Sequence, residues 1–204
     1  MTELFDRSLF DYLRDEEISL RERIEIAMEI GNGIAGMKDY RNGSLLHHLD
    51  LKPTNIYLKT VNGKKHGRIC IADFGIGRSE ERGLSEERMG TALFSSPEQL
   101  VLRANEKADI YAYGKILVLV LFKWKMAWWL LGSLRDAKVE QFFKMNPLTK
   151  EFCDLVSRML EVDYKDRPEI EEVMRKLTKL QKMADDSELL WEELHKRSTL
   201  DEVL

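Results

Sequence analysis

The chain has 204 residues, of which 44% are hydrophobic and 33% charged, so it can build one sizeable hydrophobic core or two small ones. Its 32 basic and 36 acidic residues give a net charge of -4, which offers no electrostatic reason to expect nucleic-acid binding. The two cysteines are too few for a disulfide framework and favour a reducing compartment such as the cytoplasm.

The first third of the chain shows helical spacing. Residues 8–16 predict a short helix. Ser19 followed by Glu22 forms a helix-capping pattern, and apolar residues at helical spacing then continue to Ile34. Residues 42–43 (NG) predict the end of this second helix.

Three glycines in the second predicted helix imitate a dinucleotide-binding loop. Gly31, Gly33 and Gly36 follow alternating apolar residues, and Asp50 lies downstream as that pattern requires. The capping pattern at Ser19 already begins a helix, however, and small residues inside a helix permit close packing. The sequence therefore favours helical glycines over a phosphate-binding loop.

Two short strands follow, at residues 56–58 and 68–72, joined by a turn-rich segment. Residues 79–88 predict an exposed loop. Ser96 and Pro97 supply an N-cap and a first-turn proline for another helix. This part of the chain predicts one small β hairpin.

Beyond Asp109 the chain reads as helical, with Thr149 and Ser187 as caps and Pro168 at a helix start. The apolar run at residues 116–131 is shorter than the about 20 residues of a membrane span and contains two lysines. We expect a buried core helix there and no membrane association. The predicted fold class is mainly α with a small β hairpin.

Two further groups of side chains are open to a functional interpretation. His47, His48, His66 and Cys70 match no zinc-site spacing, so no metal site is expected from them. Three tryptophans predict a core between two helices, with an exposed partner-docking patch as the alternative; they are Trp124, Trp128 and Trp129.

Five motifs carry the chemistry, and their order is more specific than any one of them. They are residues 48–55 (HLDLKPTN), 73–75 (DFG), 90–98 (GTALFSSPE), 109–114 (DIYAYG) and 166–168 (DRP). In this order they resemble the catalytic loop, metal-binding triplet, activation-segment end, central helix and late arginine of the eukaryotic protein kinase family. Lysine at position 52 resembles the Ser/Thr-directed members.

The resemblance implies ATP and Mg²⁺ as cofactors. Asp50 would accept or orient the proton of the substrate hydroxyl, and Lys52 would place a cation beside the migrating phosphate. Asn55 and Asp73 would supply the oxygen ligands that Mg²⁺ prefers. With Tyr57, which lies at the position under adenine, Lys52, Asn55 and Asp73 would bind the nucleotide.

The resemblance also implies supporting contacts. Thr91 would hydrogen-bond near the catalytic Asp50 and Lys52. Glu98 and Arg167 would form a buried ion pair, and Asp109 would accept hydrogen bonds from the catalytic-loop backbone. Leu49 replaces the usual arginine before the catalytic aspartate, so activation by a phosphate bound there is not expected.

The resemblance extends to residues 4–13, which look like the family's hinge and the helix after it. We therefore expect a kinase C-terminal lobe at residues 1–183, a helical tail at 184–204, and no N-terminal lobe with its glycine-rich loop and lysine.

The expected function is Ser/Thr phosphorylation of proteins, weak or absent in this chain. The alternative is a non-catalytic kinase-like module. The expected partner is a protein substrate or another kinase.

Overall fold

The computed structural model describes residues 6–37, 46–61, 64–73, 92–101, 105, 107–122 and 147–185. These ranges are mostly helical and contain one small antiparallel sheet. The predicted loop at residues 79–88, the three tryptophans and the Ser187 cap lie outside them.

The sheet has three strands in the order β1 (Arg7–Ser8), β2 (Ile56–Val61) and β3 (Lys64–Ile71). β2 and β3 form the predicted hairpin, with Tyr57 opposite Cys70. Both strands extend further toward their turn than predicted, because the ladder continues through polar residues that carry no apolar alternation. The sequence does not predict β1, since two residues are too few to show alternation.

The helices in the described ranges are α1 (Leu9–Asp15), α2 (Leu20–Ala35), α3 (Pro97–Leu100), α4 (Ala108–Leu121), α5 (Pro147–Met159) and α6 (Ile170–Asp185). Short 3-10 turns occupy Pro53–Asn55 and Tyr164–Asp166. α6 runs two residues past the predicted division at position 183. The predicted end of α2 at residues 42–43 lies outside the described ranges.

Local capping chemistry explains why α1 and α2 begin where they do. Ser8 Oγ accepts a hydrogen bond from the Asp11 N–H at 3.2 Å, and Ser19 Oγ accepts one from the Glu22 N–H at 3.3 Å. Each bond satisfies an amide that the helix itself leaves unpaired. The predicted cap at Thr149 is wrong, because α5 already begins at Pro147, whose fixed φ suits a first helical position.

The core is built around α4, whose side chains are almost all buried. Tyr113 crosses from α4 to α2, where its hydroxyl donates to the Ala27 carbonyl at 2.6 Å. A Cβ on Gly31 would overlap the Met174 sulfur of α6 and lie 2.8 Å from the Tyr113 oxygen. Gly31 is therefore a packing glycine of α2, and the dinucleotide-loop alternative fails.

The apolar run at residues 116–131 begins in α4, and its part beyond residue 122 lies outside the described ranges. Within the described ranges, no helix combines the length and apolarity needed to cross a bilayer.

Candidate active site

The candidate site is centred on Asp50, in the segment between α2 and β2. Its Oδ2 lies 3.0 Å from Lys52 Nζ and accepts a hydrogen bond from Asn55 Nδ2 at 3.2 Å. Asn55 Nδ2 also donates to the Asp50 backbone carbonyl at 2.9 Å. The Asp50 carboxylate and the Lys52 ammonium are half-buried. Three predicted site residues therefore meet around one carboxylate.

A short turn places these three side chains together. Pro53 opens the 3-10 turn Pro53–Asn55, and the Asn55 N–H donates to the Lys52 carbonyl at 3.0 Å. Pro53 and Asn55 are buried, so the turn is anchored where the chain enters β2. The spacing of the motif thus becomes a compact cluster because the backbone folds back on itself within four residues.

Asp73 is tied to the same cluster through the backbone. The Ala72 N–H donates to the Asn55 carbonyl at 2.9 Å, so the residue before Asp73 pairs with the residue that holds Asp50. Asp73 is exposed and has a φ of 57°, in the left-handed region that non-glycine residues seldom adopt. Such a backbone persists only where its surroundings hold it, and it is frequent at active sites.

The His48 imidazole links the two aspartate segments. Its Nδ1 accepts from the Asp50 N–H at 3.3 Å, and its Nε2 lies 2.7 Å from the Ala72 carbonyl. Because a carbonyl oxygen only accepts, Nε2 carries the proton and donates, and the ring is neutral. Asp50 and Asp73 are therefore held on either side of one buried ring, whose nitrogens are both used in these bonds.

Asp109, at the start of α4, anchors the segment that carries Asp50. Its two carboxylate oxygens accept hydrogen bonds from the N–H groups of His48 at 2.7 Å and Leu49 at 2.8 Å. The predicted contact between Asp109 and the loop backbone is present. The two backbone hydrogen bonds stabilise this buried carboxylate, and they fix the segment of His48 and Leu49 on α4.

A buried ion pair joins α3 to the segment before α6, as predicted. Arg167 Nη1 and Nη2 donate to Glu98 Oε1 and Oε2 at 2.7 and 2.8 Å. Arg167 Nε donates to the Glu161 carbonyl at 2.8 Å, and its guanidinium carbon lies 5.0 Å from the centre of the Tyr111 ring. Burial alone would raise the pKa of Glu98, but the hydrogen bonds and charge of Arg167 outweigh it and hold that pKa below its usual value.

Tyr57 and Thr91 are the remaining predicted site residues. Tyr57 is half-buried on β2, two residues after Asn55, between the buried Ile56 and Leu58. Thr91 lies outside the described ranges. In the part of the chain that the structure describes, no group of three or more His, Cys, Asp or Glu side chains is placed to hold a metal ion.

Two polar residues make long-range contacts, one at the candidate site and one at the other end of α4, and no motif predicts either contact. Gln99 donates through Nε2 to the Leu49 carbonyl at 2.8 Å. Arg23 is buried and donates to the Val120 carbonyl at 2.7 Å, at the far end of α4. Leu49 and Val120 lie far along the chain from these donors, so no local signal in the sequence could identify these two contacts.

The chain matches known proteins along most of its length. The family described as protein kinase domain matches residues 1–177. The probable serine/threonine-protein kinase SIS8 of Arabidopsis thaliana is 28% identical over 185 residues, which cover 86% of this chain and 17% of that protein. The serine/threonine-protein kinase Nek2 of Homo sapiens is 28% identical over 173 residues, covering 78% of this chain and 36% of that protein.

A shorter match has higher identity. The serine/threonine-protein kinase ATG1c of Arabidopsis thaliana is 39% identical over 85 residues, which cover 41% of this chain and 11% of that protein. The chain thus spans well under half the length of these three curated relatives.

Proposed function

The chain belongs to the protein kinase family, and on that premise we propose that its site is built for transfer of the γ-phosphoryl group of ATP to a Ser or Thr hydroxyl of a protein. The observation that carries the proposal is the cluster of Asp50, Lys52 and Asn55, with Asp73 tied to it through Ala72. Phosphoryl transfer has a loose transition state, so positioning and charge neutralisation supply most of the catalysis.

Asp50 and Lys52 would act at the transferring group. The Asp50 carboxylate would orient the substrate hydroxyl and accept its proton as the bond to phosphorus forms. Lys52, now 3.0 Å from Asp50 Oδ2, would stabilise negative charge on the phosphoryl oxygens. In this arrangement Lys52 and Asn55 also keep the Asp50 carboxylate in one orientation before substrate binds.

Asn55 and Asp73 fit a magnesium ion that is shared with a nucleotide. Asn55 uses Nδ2 for both of its bonds to Asp50, which leaves Oδ1 as the atom with which it would bind a cation. Asp73 adds an exposed carboxylate, and Mg²⁺ accepts one or two protein oxygens when substrate phosphates and water complete the octahedron. Bound there, the ion would neutralise phosphate charge. Tyr57 would lie beside the adenine ring.

Three features bear on specificity for Ser or Thr and on location in the cytoplasm. Lysine at position 52 resembles Ser/Thr-directed kinases, and the three relatives named above carry that description. Thr91 would complete the substrate-facing side of the site. Cys70 and Cys153 are free thiols, in keeping with action in a reducing compartment such as the cytoplasm.

We expect residues 1–204 alone to transfer phosphate weakly or not at all. Gly31, Gly33 and Gly36, the glycines that imitate a phosphate loop, lie in α2 and at its end. These glycines therefore cannot form a loop over the β- and γ-phosphates, and positioning of those phosphates supplies much of the catalysis. The same observation favours a second candidate function, a non-catalytic module that binds another kinase or its substrate.

The test uses the purified chain with Mg²⁺, γ-labelled ATP and a generic protein substrate. We compare the wild type with Asp73→Asn and with a matched control, Asp154→Asn, which makes the same chemical change at an exposed position of α5. Stabilisation of the fold by Mg·ATP, seen as a rise in Tm, gives a readout that does not require turnover.

We expect Asp73→Asn to abolish any label transfer and the Mg-dependent rise in Tm, and Asp154→Asn to change neither. Label transfer that survives equally in both variants would contradict the assigned site. A wild-type chain with no transfer and no response to Mg·ATP, but with tight binding to a complete kinase, would support the module.

A further inference from the structure

Gln99 occupies an unusual position between two elements that the proposed reaction needs. It lies in α3, beside the ion-paired Glu98, yet its side chain reaches the segment that carries Asp50. The motifs of the family assign it no role in the sequence analysis above.

The contacts of Gln99 fix the orientation of its amide group. Oε1 accepts hydrogen bonds from Ser96 N at 3.0 Å and Ser96 Oγ at 3.2 Å, at the start of α3. Nε2 donates to the Leu49 carbonyl at 2.8 Å. Because Leu49 O can only accept and the Ser96 N–H can only donate, the amide cannot be reversed without losing both bonds.

The hydrogen bond from Gln99 matters because of the backbone conformation of Leu49. Its φ is 61°, a left-handed conformation that a leucine seldom adopts, because its Cβ approaches the following carbonyl. The peptide before it is held through its N–H by Asp109 Oδ1 at 2.8 Å. The peptide after it, which leads into Asp50, is held at its carbonyl by Gln99 and at its N–H by His48 Nδ1.

We propose that Gln99 is a positioning residue: it holds the Leu49–Asp50 peptide in the orientation that presents the Asp50 carboxylate to substrate. This inference rests on the function proposed above for Asp50. In this role α3 does more than hold an ion pair. The Gln99 side-chain amide couples the position of α3 to the backbone of the catalytic loop. A displaced α3 would release the Leu49 carbonyl and let the backbone leave the left-handed region.

The variant Gln99→Glu separates this role from capping of α3. A glutamate is nearly isosteric and keeps oxygen acceptors for Ser96, but it has no N–H for the Leu49 carbonyl. Gln99→Met removes the same donor without adding a charge near that carbonyl, but it also removes the Oε1 acceptor of Ser96 and so weakens the cap of α3. Gln181→Glu, on a half-buried position of α6, is the matched control for the change from amide to carboxylate.

The first readout is amide hydrogen exchange of the purified full chain, which does not depend on kinase activity. We expect the Leu49 and Asp50 amides to exchange about fivefold faster or more in Gln99→Glu and Gln99→Met, as for the loss of one hydrogen bond, with the Tm of Gln99→Glu near that of the wild type. Gln181→Glu should leave both amides unchanged. Equal exchange of these amides in wild type and both Gln99 variants would overturn the proposal, as would a faster exchange spread over the whole fold.

The second readout applies where the wild type transfers phosphate. Gln99→Glu should lower kcat with KM for ATP unchanged, since nucleotide binding does not use the Leu49–Asp50 peptide. Adding Leu49→Gly should shrink the effect of Gln99→Glu on kcat, because glycine adopts positive φ readily. An unchanged kcat overturns the positioning role, whereas with a wild type that transfers no phosphate the exchange experiment alone decides on Gln99.

Discussion

The ion pair between Glu98 and Arg167 offers a sharp test of what holds α3 in place. The perturbation is Glu98→Gln, which keeps the shape of the side chain and removes its charge. The Arg167 side chain is 0% exposed and that of Glu98 13% exposed, so the guanidinium would stay buried without its counter-charge. The bidentate geometry, at 2.7 and 2.8 Å, means that two charge-assisted hydrogen bonds change at once.

The loss of stability in Glu98→Gln depends on the contacts that Arg167 retains. Breaking one partner of a buried pair costs about 3–5 kcal/mol. Arg167 retains the carbonyls of Glu161, Val162 and Lys107 and the face of the Tyr111 ring, which offset part of the loss. We therefore expect the lower end, about 3 kcal/mol, which corresponds to a fall in Tm of about 6–12 °C for a domain of this size.

Urea denaturation and thermal unfolding measure this loss directly. Glu151→Gln is the matched control, because Glu151 pairs with Lys176 and Lys179 at the surface and such pairs contribute at most about 1 kcal/mol. If Glu98→Gln destabilises the chain by no more than Glu151→Gln does, the reasoning from burial is refuted. A double variant with Arg167→Met should recover part of the lost stability, since no buried charge is then left alone.

Two other predictions follow from the same structure. The pKa of Glu98 is lowered in the folded state, so its contribution to stability is present above its unfolded pKa and is lost as pH falls through the lower folded value; the Tm difference between wild type and Glu98→Gln should therefore shrink in acid, and a difference that grows toward low pH would contradict the sign. Gly31→Ala should lower the urea midpoint, because overpacking against Met174 and Tyr113 (about 1–3 kcal/mol) exceeds the helix-propensity gain of about 1 kcal/mol. Gly33→Ala, whose Cβ would meet only the movable end of Ile71, should be neutral or stabilising, and equal midpoints for the two variants would show that α2 shifts to accommodate either side chain.

The features that could be predicted from the sequence are those whose cause lies within a few residues. Ser19 caps α2 because its hydroxyl reaches the N–H of the third residue on, and Ser19 followed by Glu22 shows this in the sequence. The family resemblance adds the contacts of Asp109 with the loop, which cross about 60 positions of sequence. Composition and periodicity alone carry no information at that distance.

The features that could not be predicted depend on distant partners and carry no local signature. Gln99 meets Leu49 across 50 positions, and Arg23 meets Val120 across 97. Ser96 followed by Gln99 is a capping-box pattern, but it does not indicate the bond from Gln99 to Leu49, and an arginine in the first turn of α2 looks like a solvated charge. Only the packing of α2 and α3 around the core decides that both are structural donors.

The two ends of α4 explain why this helix can serve as the frame of the candidate site. Its interior is apolar and buried, so neither its unpaired N–H groups nor its unpaired carbonyls can rely on water. Asp109 places a negative charge at the N-terminal end and receives the catalytic-loop amides there. Arg23 places a positive charge at the C-terminal end, on the carbonyls of Val120 and Phe122.

Each charge opposes the helix dipole at its own end. Burial lowers the pKa of Arg23 to about 10, so the guanidinium remains protonated at neutral pH and keeps this role. The two buried charges therefore stabilise α4 at both ends. Through Asp109, α4 also holds His48 and Leu49, and with them the backbone of Asp50, at a fixed place on the core.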